Sequence, residues 1–280
     1  MNAQSLTADS VAITADLDQT LIFSPRASAR LGGGLPCNPV EHIDGVVISE
    51  IAQTVSEHID LLPPRVFLIP ATTRTVDQLN RLQLPFAYQY AIAANGGVVL
   101  VDGFPDSSWD AEVQRRVTAA APLNAAHALL TQRADRPWLL RSYRAAELFC
   151  YAIVDPTELD ANELPELDEA CAQIGWRARP QGRKLYLLPN GLAKEAAVTF
   201  LLEKLCAQSG QRPRHFAAGD AEVDRAMLGI ADIGWVPAGS PLALAGDLPP
   251  QVRVTDAGGH SGAAQIVGEW VTECIADERH

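Results

Sequence analysis

The stretch Val11-Ala12-Ile13-Thr14-Ala15-Asp16-Leu17-Asp18-Gln19-Thr20 limits the fold more than any other in the chain. A mainly apolar run stops abruptly at two aspartates one residue apart, followed by a threonine. An unalternating apolar run reads as a strand buried on both faces, the condition of a strand inside a parallel sheet. The two carboxylates then lie past its carboxyl end, where open α/β sheets bind their ligands. Leu17, between them, turns into the fold.

The theme recurs along the chain. Arg65-Val66-Phe67-Leu68-Ile69-Pro70-Ala71-Thr72-Thr73-Arg74 is a second apolar run, ending in hydroxyl residues and an arginine before a helix start. Thr72 alone also reads as the N-cap of that helix. Tyr90 to Val101 sets two β-rich runs around Asn95-Gly96-Gly97, a hairpin-type turn. Pro189 to Val198 opens a helix that runs to about Ala207, with Lys194 in its first turn. A lysine there is unfavourable against the helix dipole, which favours a functional reason for it. Lysine is scarce besides: Lys184, Lys194 and Lys204 are all the chain has. Arg214 to Ala218 is a short strand ending in Gly219-Asp220, with Asp224 four residues after Asp220 and ahead of a helix. Ala231 to Val236 reads as a further parallel strand, and the last helix runs from near Gly262 to about Ile275.

Four such motifs in this order resemble the signature of the haloacid dehalogenase-like (HAD) phosphohydrolases, in particular the Cof-type and sucrose-phosphatase-like branch. The carriers are Asp16-x-Asp18-x-Thr20, Thr72-Thr73-Arg74, Gly191-x-x-Lys194-Glu195 and Gly219-Asp220-x-x-x-Asp224, with Asn95-Gly96-Gly97 as a further match. Thr73 stands where sugar phosphatases of the branch usually have glycine, and Val223 where many relatives have asparagine. The resemblance implies an α/β fold: a Rossmann-like parallel-sheet core with helices on both faces, residues 1–103 and 189–280, and an inserted α+β cap domain, residues 104–188. It implies Asp16 as nucleophile and Asp18 as general acid/base, with a Mg²⁺ cofactor held by Asp16, Asp220 and the backbone carbonyl of Asp18. Thr72 and Lys194 would hold the phosphoryl oxygens, Asp224 would orient Lys194 or a metal-bound water, and Thr73, Arg74 and Asn95 could contact substrate. The expected reaction is hydrolysis of a small phosphate monoester, such as a sugar phosphate, through an aspartyl phosphate. The alternatives are transfer of the same phosphoryl group to an acceptor, or a non-catalytic binding protein on this scaffold.

Composition excludes other classes. A chain of 280 residues, 48% of them hydrophobic, can bury one large core or two modest ones. No apolar run reaches the length of a membrane span, and Met1 to Ser10 has neither the basic residue nor the apolar core of a secretory signal. A formal net charge of −12 repels nucleic acid and anionic membrane. It would also repel a phosphorylated metabolite, so a phosphatase built on this chain needs a bound cation and a few placed basic residues. Cys37, Cys150, Cys171, Cys206 and Cys274 form no Cys-x-x-Cys pair, which fits packed thiols in a reducing compartment better than a disulfide framework or a zinc site. A cytoplasmic enzyme, monomer or homodimer, with a small-molecule partner is expected.

Between the motifs the texture varies. Pro25 to Pro39, with Gly32-Gly33-Gly34 and three prolines, reads as a loop or a flap over the site. Val46 to Ile48 reads as a short strand and Glu50 to Leu62 as a helix. In the middle region, Asp110 to Leu130 reads as a helix, Trp138 to Tyr143 and Leu148 to Val154 as strands, Leu159 to Ile174 as a helix broken at Pro165, and Arg177 to Arg179 and Arg183 to Leu188 as strands. Ten of the 22 basic residues fall there; among them Arg141, Arg183 and Lys184 are the candidates to face a substrate.

Overall fold

The run Val11–Ala15 is an interior strand of a five-stranded parallel sheet. The structure is a computed structural model and describes residues 9–31 and 34–276. The segment expected not to be a signal, apart from Asp9 and Ser10, and Gly32 and Gly33 of the Gly/Pro-rich stretch lie outside the described residues. Across the sheet the order is Val252–Val254, Ile233–Val236, Arg214–Ala218, Val11–Ala15 and Val66–Pro70. Ala15 is in register with Pro70 on one side and Ala218 on the other, so Asp16, Ala71 and Gly219 leave the sheet at one level.

Two apolar layers fix this sheet. Ala12, Phe67, Ile69 and Ala217 pack with Ala197, Val198, Leu201 and Leu205 of the helix Lys194–Ser209. Val11, Ile13, Phe216 and Ala218 pack with Ile266, Val267 and Trp270 of the helix Gly259–Ala276 and with Val55 of the helix Gln53–Ile59. Burying each large apolar side chain contributes roughly 1.5–3 kcal/mol relative to exposure, so these layers outweigh any one polar contact of the site.

Antiparallel sheets complete the molecule. Tyr90–Ala93 and Val98–Val101 pair across the Asn95-Gly96 turn, joined to the main sheet by a bridge between Ala71 and Ile92. Cys37–Ile43 and Val46–Ala52 form a hairpin. In the middle region Trp176–Gln181, Lys184–Pro189, Phe149–Val154 and Leu139–Ala145 form a four-stranded sheet in that order. The helices Leu123–Thr131 and Glu163–Gln173 cover one face of it through Ala126, Leu130, Leu167 and Cys171. The other face carries Tyr143, Tyr151 and Tyr186 in cross-strand register, with ring centres 5.1 and 5.7 Å apart.

Several expectations are corrected. Pro25 to Pro39 is not all loop: Pro25–Arg30 is a short helix capped by Ser24, and the hairpin strand begins at Cys37. Proline suits a first helical position because its fixed φ is already helical and its missing N–H would be unpaired there. Val46–Ala52 runs through Glu50, so the next helix begins only at Gln53. The helix expected over Asp110 to Leu130 is two, Ser107–Val117 and Leu123–Thr131, because Pro122 stands at the start of the second. Pro165, conversely, lies in the first turn of the unbroken helix Glu163–Gln173, where it removes no hydrogen bond. The helix Pro241–Ala245 and the edge strand Val252–Val254 were not expected. No helix among the described residues is long and apolar enough to cross a membrane, and all five cysteines are free thiols.

Candidate active site

Three carboxylates and one ammonium meet at the carboxyl end of the sheet. Asp16 follows the central strand, Asp220 follows its neighbour, and Asp224 ends the short 3₁₀ turn Glu222–Asp224. Lys194, the first residue of its helix, reaches back so that Nζ donates to Asp16 Oδ1 and to Asp224 Oδ1, each at 2.6 Å. Asp224 Oδ2 in turn accepts from the backbone N–H groups of Asp220 and Ala221, both at 3.1 Å. Gly219 is required for this approach, since a Cβ there would stand 2.4 Å from Asp224 Cβ.

Charge in the cluster is unbalanced. Lys194, Asp16 and Asp224 are fully buried and Asp220 nearly so. Unit charges about 4 Å apart at an effective dielectric near 20 interact by about 4 kcal/mol, so one ammonium cannot offset three anions. Burial, with repulsion from Asp224 and Asp18, pushes the Asp16 carboxyl up to about 7 against the pull of Lys194. Burial and the same kind of repulsion hold Asp220 well above the usual carboxylate range. For Lys194 the two aspartates outweigh burial and keep the ammonium charged. Asp16 Oδ2 and Asp220 Oδ2 are buried without a hydrogen-bond partner among the described residues. Oxygens from Asp16, Asp220 and Asp224 all lie within 4.8 Å of one another. Hard oxygen donors with excess negative charge and orphaned lone pairs fit Mg²⁺.

Asp18 belongs to a different network. Its carboxylate turns away from the acidic cluster and accepts from Arg74 Nε at 2.7 Å and Nη2 at 2.9 Å. Arg74 also donates to Glu41 Oε2 at 2.8 Å and Ser49 Oγ at 3.1 Å, both on the Cys37–Ala52 hairpin. Burial opposes ionisation of Asp18, but the Arg74 charge and hydrogen bonds win and hold its carboxyl below the usual range. Arg74 itself is buried and occupied by these partners. In this structure Arg74 holds Asp18.

The remaining sequence candidates divide. Thr72 is buried, and its Oγ1 accepts from the Arg74 backbone N–H at 3.1 Å. The N-cap of the next helix is Thr75, which forms a capping box with Gln78, so Thr72 does not serve as that cap. Asn95 is buried in left-handed backbone at φ 55, ψ 39; its N–H donates to the Thr72 carbonyl at 2.9 Å, and its Oδ1 lacks a partner among the described residues. Thr73 Oγ1 is 3.1 Å from Tyr186 Oη and 3.5 Å from Gln181 Oε1, and Gln181 Nε2 donates to Asp220 Oδ1 at 3.5 Å. The strands Trp176–Gln181 and Lys184–Pro189 thus reach the acidic cluster. Lys184 is on that side, with Nζ 5.9 Å from the Tyr151 ring centre; burial works against its charge, but neighbouring Tyr186 and Asp18 outweigh it. Arg141 is exposed, in register with Ile153, which pairs with Lys184 on its other side. Arg183 is exposed at the turn beside Asp155 and not gathered into the site. Glu41, Ser49, Gln181 and Tyr186 were missed, because no local pattern marks a residue that reaches the site from a hairpin or an inserted sheet.

No family model matches the chain, and no curated protein matches it significantly. Solved structures do match. The sucrose-phosphatase from Synechocystis sp. PCC6803, determined with sucrose and phosphate, aligns over 94% of this chain and 98% of its own at a TM-score of 0.63 and 14% identity. A HAD subclass IIB sugar phosphatase aligns over 93% and 99%, with a TM-score of 0.59 and 12% identity. A haloacid dehalogenase-like hydrolase protein from Bacillus subtilis aligns over 95% and 94%, with a TM-score of 0.52 and 15% identity. At such identities the likeness speaks for the backbone, and it spans nearly the whole length of both partners in each pair. The chain has the fold of the haloacid dehalogenase-like superfamily, in the form its sugar phosphatases share.

Proposed function

We propose that this protein is a Mg²⁺-dependent phosphohydrolase acting on a small phosphate monoester, a sugar phosphate, through an aspartyl phosphate on Asp16. The observation that carries the reading is the state of Asp16. One of its oxygens is held by Lys194 and the other is free of hydrogen bonds at a strand end. A carboxylate fixed through one oxygen, with the other free of hydrogen bonds, keeps lone pairs available to a cation and to phosphorus. Bound to Asp16, Asp220 and, as the resemblance implies, the backbone carbonyl of Asp18, Mg²⁺ would mask carboxylate charge against an incoming phosphate dianion.

The chain's own groups supply the rest. Asp16 attacks phosphorus and the sugar oxygen leaves; Asp18 gives that oxygen a proton. Asp18 then takes a proton from the water that attacks the acyl phosphate, and Asp16 is regenerated as inorganic phosphate departs. Lys194 stays charged and holds a phosphoryl oxygen as charge shifts, assisted by Thr72. Asp224 orients Lys194. To donate its proton Asp18 must leave Arg74, which stabilises only the ionised form, so the observed pair is the base-ready arrangement. We assign residues 104–188 to a cap that selects the leaving group, acting over a core of 1–103 and 189–280. The tyrosine row beside Lys184 supports a sugar, whose apolar ring face can lie on aromatic rings. The free, dispersed thiols support a cytoplasmic enzyme.

The test is a screen of sugar phosphates, phosphoglycerate derivatives and nucleotides with Mg²⁺, measuring free phosphate and phosphorylated products separately. Release of phosphate from a sugar phosphate, lost with EDTA, is expected. A phosphorylated acceptor in place of free phosphate would make the enzyme a phosphotransferase.

A further inference from the structure

We propose that Cys37, Glu50 and His260 bind a zinc-like divalent cation at a site separate from the acidic cluster, clamping the Cys37–Ala52 hairpin to the last helix. The three residues come from the first position of the hairpin, its return strand and the first turn of the helix Gly259–Ala276. One ligand atom from each, a thiol sulfur, a carboxylate oxygen and an imidazole nitrogen, lies within 4.8 Å of the other two. His260 Nε2 is 3.5 Å from Glu50 Oε1. Two N or O ligands about 2.0–2.1 Å from a tetrahedral zinc stand roughly 3.3 Å apart, so this pair is already near coordination spacing.

His260 is the residue that points to a ligand. Its side chain is 2% exposed; among the described residues Nδ1 has no hydrogen-bond partner, and Nε2 has only the 3.5 Å approach to Glu50 Oε1, which lacks hydrogen-bond geometry. Buried polar atoms left unsatisfied are costly and rare. The ring is held edge-on to Phe23, with centres 4.6 Å apart. Burial outweighs the pull of Glu50 and lowers the His260 pKa, which favours the neutral imidazole, the form that ligates. Cys37 and Glu50 are half-buried, so two of the three ligand side chains border solvent. The Cys37 thiol donates to the Leu35 carbonyl at 3.3 Å, a weak bond for a metal to displace.

The donor set selects the ion. One thiolate, one imidazole and one carboxylate suit borderline-soft Zn²⁺, whereas Mg²⁺ takes oxygen donors. The acidic cluster offers only oxygens, so the two sites sort cations by chemistry. The sequence hid this site because its ligands come from three separate segments and no Cys-x-x-Cys pair announces it.

The test uses Co²⁺ as a spectroscopic probe on the full chain, presaturated with Mg²⁺. A cobalt–thiolate charge-transfer band should appear in the near ultraviolet and saturate at one equivalent, and the acidic cluster cannot produce it because it has no sulfur. Zn²⁺ should bleach the band; further Mg²⁺ should not. Cys37→Ser should abolish it and weaken Co²⁺ affinity beyond the ~10–100-fold typical of losing an outer-shell partner. His260→Gln should do the same, and Glu50→Gln, at a half-buried position, should weaken the band if neither other variant folds by circular dichroism. No thiolate band in the wild type, a band surviving in a folded variant of Cys37 or His260, or bleaching by Mg²⁺ overturns the proposal.

Discussion

At the residue scale the proposed chemistry rests on how two neighbouring aspartates are kept apart. Asp16 is drawn into a buried cluster by Lys194, while Asp18 is drawn outward by Arg74. Asp16→Asn keeps the shape and an acceptor for Lys194 but cannot form the acyl phosphate. It should retain native circular dichroism and lose at least about 10³-fold in kcat, on the order of 4 kcal/mol of barrier. A variant with more than a few per cent of the wild-type rate, free of contaminating phosphatase, would remove Asp16 as nucleophile. Arg74→Gln should act on pH dependence. The guanidinium favours the ionised form of Asp18, so without it the carboxyl titrates higher, and the acid limb of kcat should move to higher pH. An unmoved limb would mean that Asp18 is not the group titrating there.

At the element scale, turns bring the two halves of the site together. Gly96 has φ +91, and a Cβ there would stand 2.2 Å from the carbonyl oxygen of Ala193, just ahead of Lys194. The Asn95-Gly96 turn is therefore the bed for the helix that carries the ammonium. Gly96→Ala combines positive-φ strain with a backbone clash and should cost about 1–3 kcal/mol, read as a lower urea midpoint at unchanged slope. Stability equal to the wild type would show that this close approach does not matter. The sequence made the buried strands legible because continuous apolar runs such as Val66–Pro70 leave few other readings, and it made Lys194 legible because lysine is rare and ill-placed at a helix start. Glu41 and Ser49 were illegible for the opposite reason: Pro25 to Pro39 reads as a loop, so nothing indicates that a hairpin returns to Arg74. Gln181 falls between the expected strands Arg177 to Arg179 and Arg183 to Leu188, although its strand carries it to Asp220. Proximity across separate segments has no one-dimensional signature.

At the scale of the whole molecule, buried titratable groups link stability to pH in opposite senses. His215 is fully buried, and Thr14 Oγ1 lies 2.8 Å from its Nε2. Burial lowers its pKa from 6.5 to about 4. The unfolded chain then binds the extra proton between those values, so stability is full above about pH 6.5 and falls as pH drops toward 4, by about 3 kcal/mol. Relative to His215→Gln, the wild type should lose that amount between pH 7 and pH 4; a flat difference would contradict a neutral buried imidazole. Asp16 runs the other way. Its raised pKa means that stability without a cation is full below about 4 and lost as pH rises through about 7. The gap in Tm between Mg²⁺-containing and EDTA-treated samples should accordingly widen from pH 5 to pH 8. A constant gap would argue against a cation among these carboxylates.

The strand order also sets when this molecule can come into being. Val11–Ala15 is flanked by Val66–Pro70, made soon after it, and by Arg214–Ala218, made some two hundred positions later. During synthesis the first strand waits with one edge unpaired while the whole middle region emerges, and an apolar strand with an open edge invites pairing with another chain. The proposed nucleophile thus follows a strand made before its acidic neighbours and its lysine, which come only after the whole middle region. A ribosome stalled before Arg214 would hold a chain with the proposed nucleophile but without Asp220 and Asp224, so the proposed chemistry could not begin before the sheet is complete.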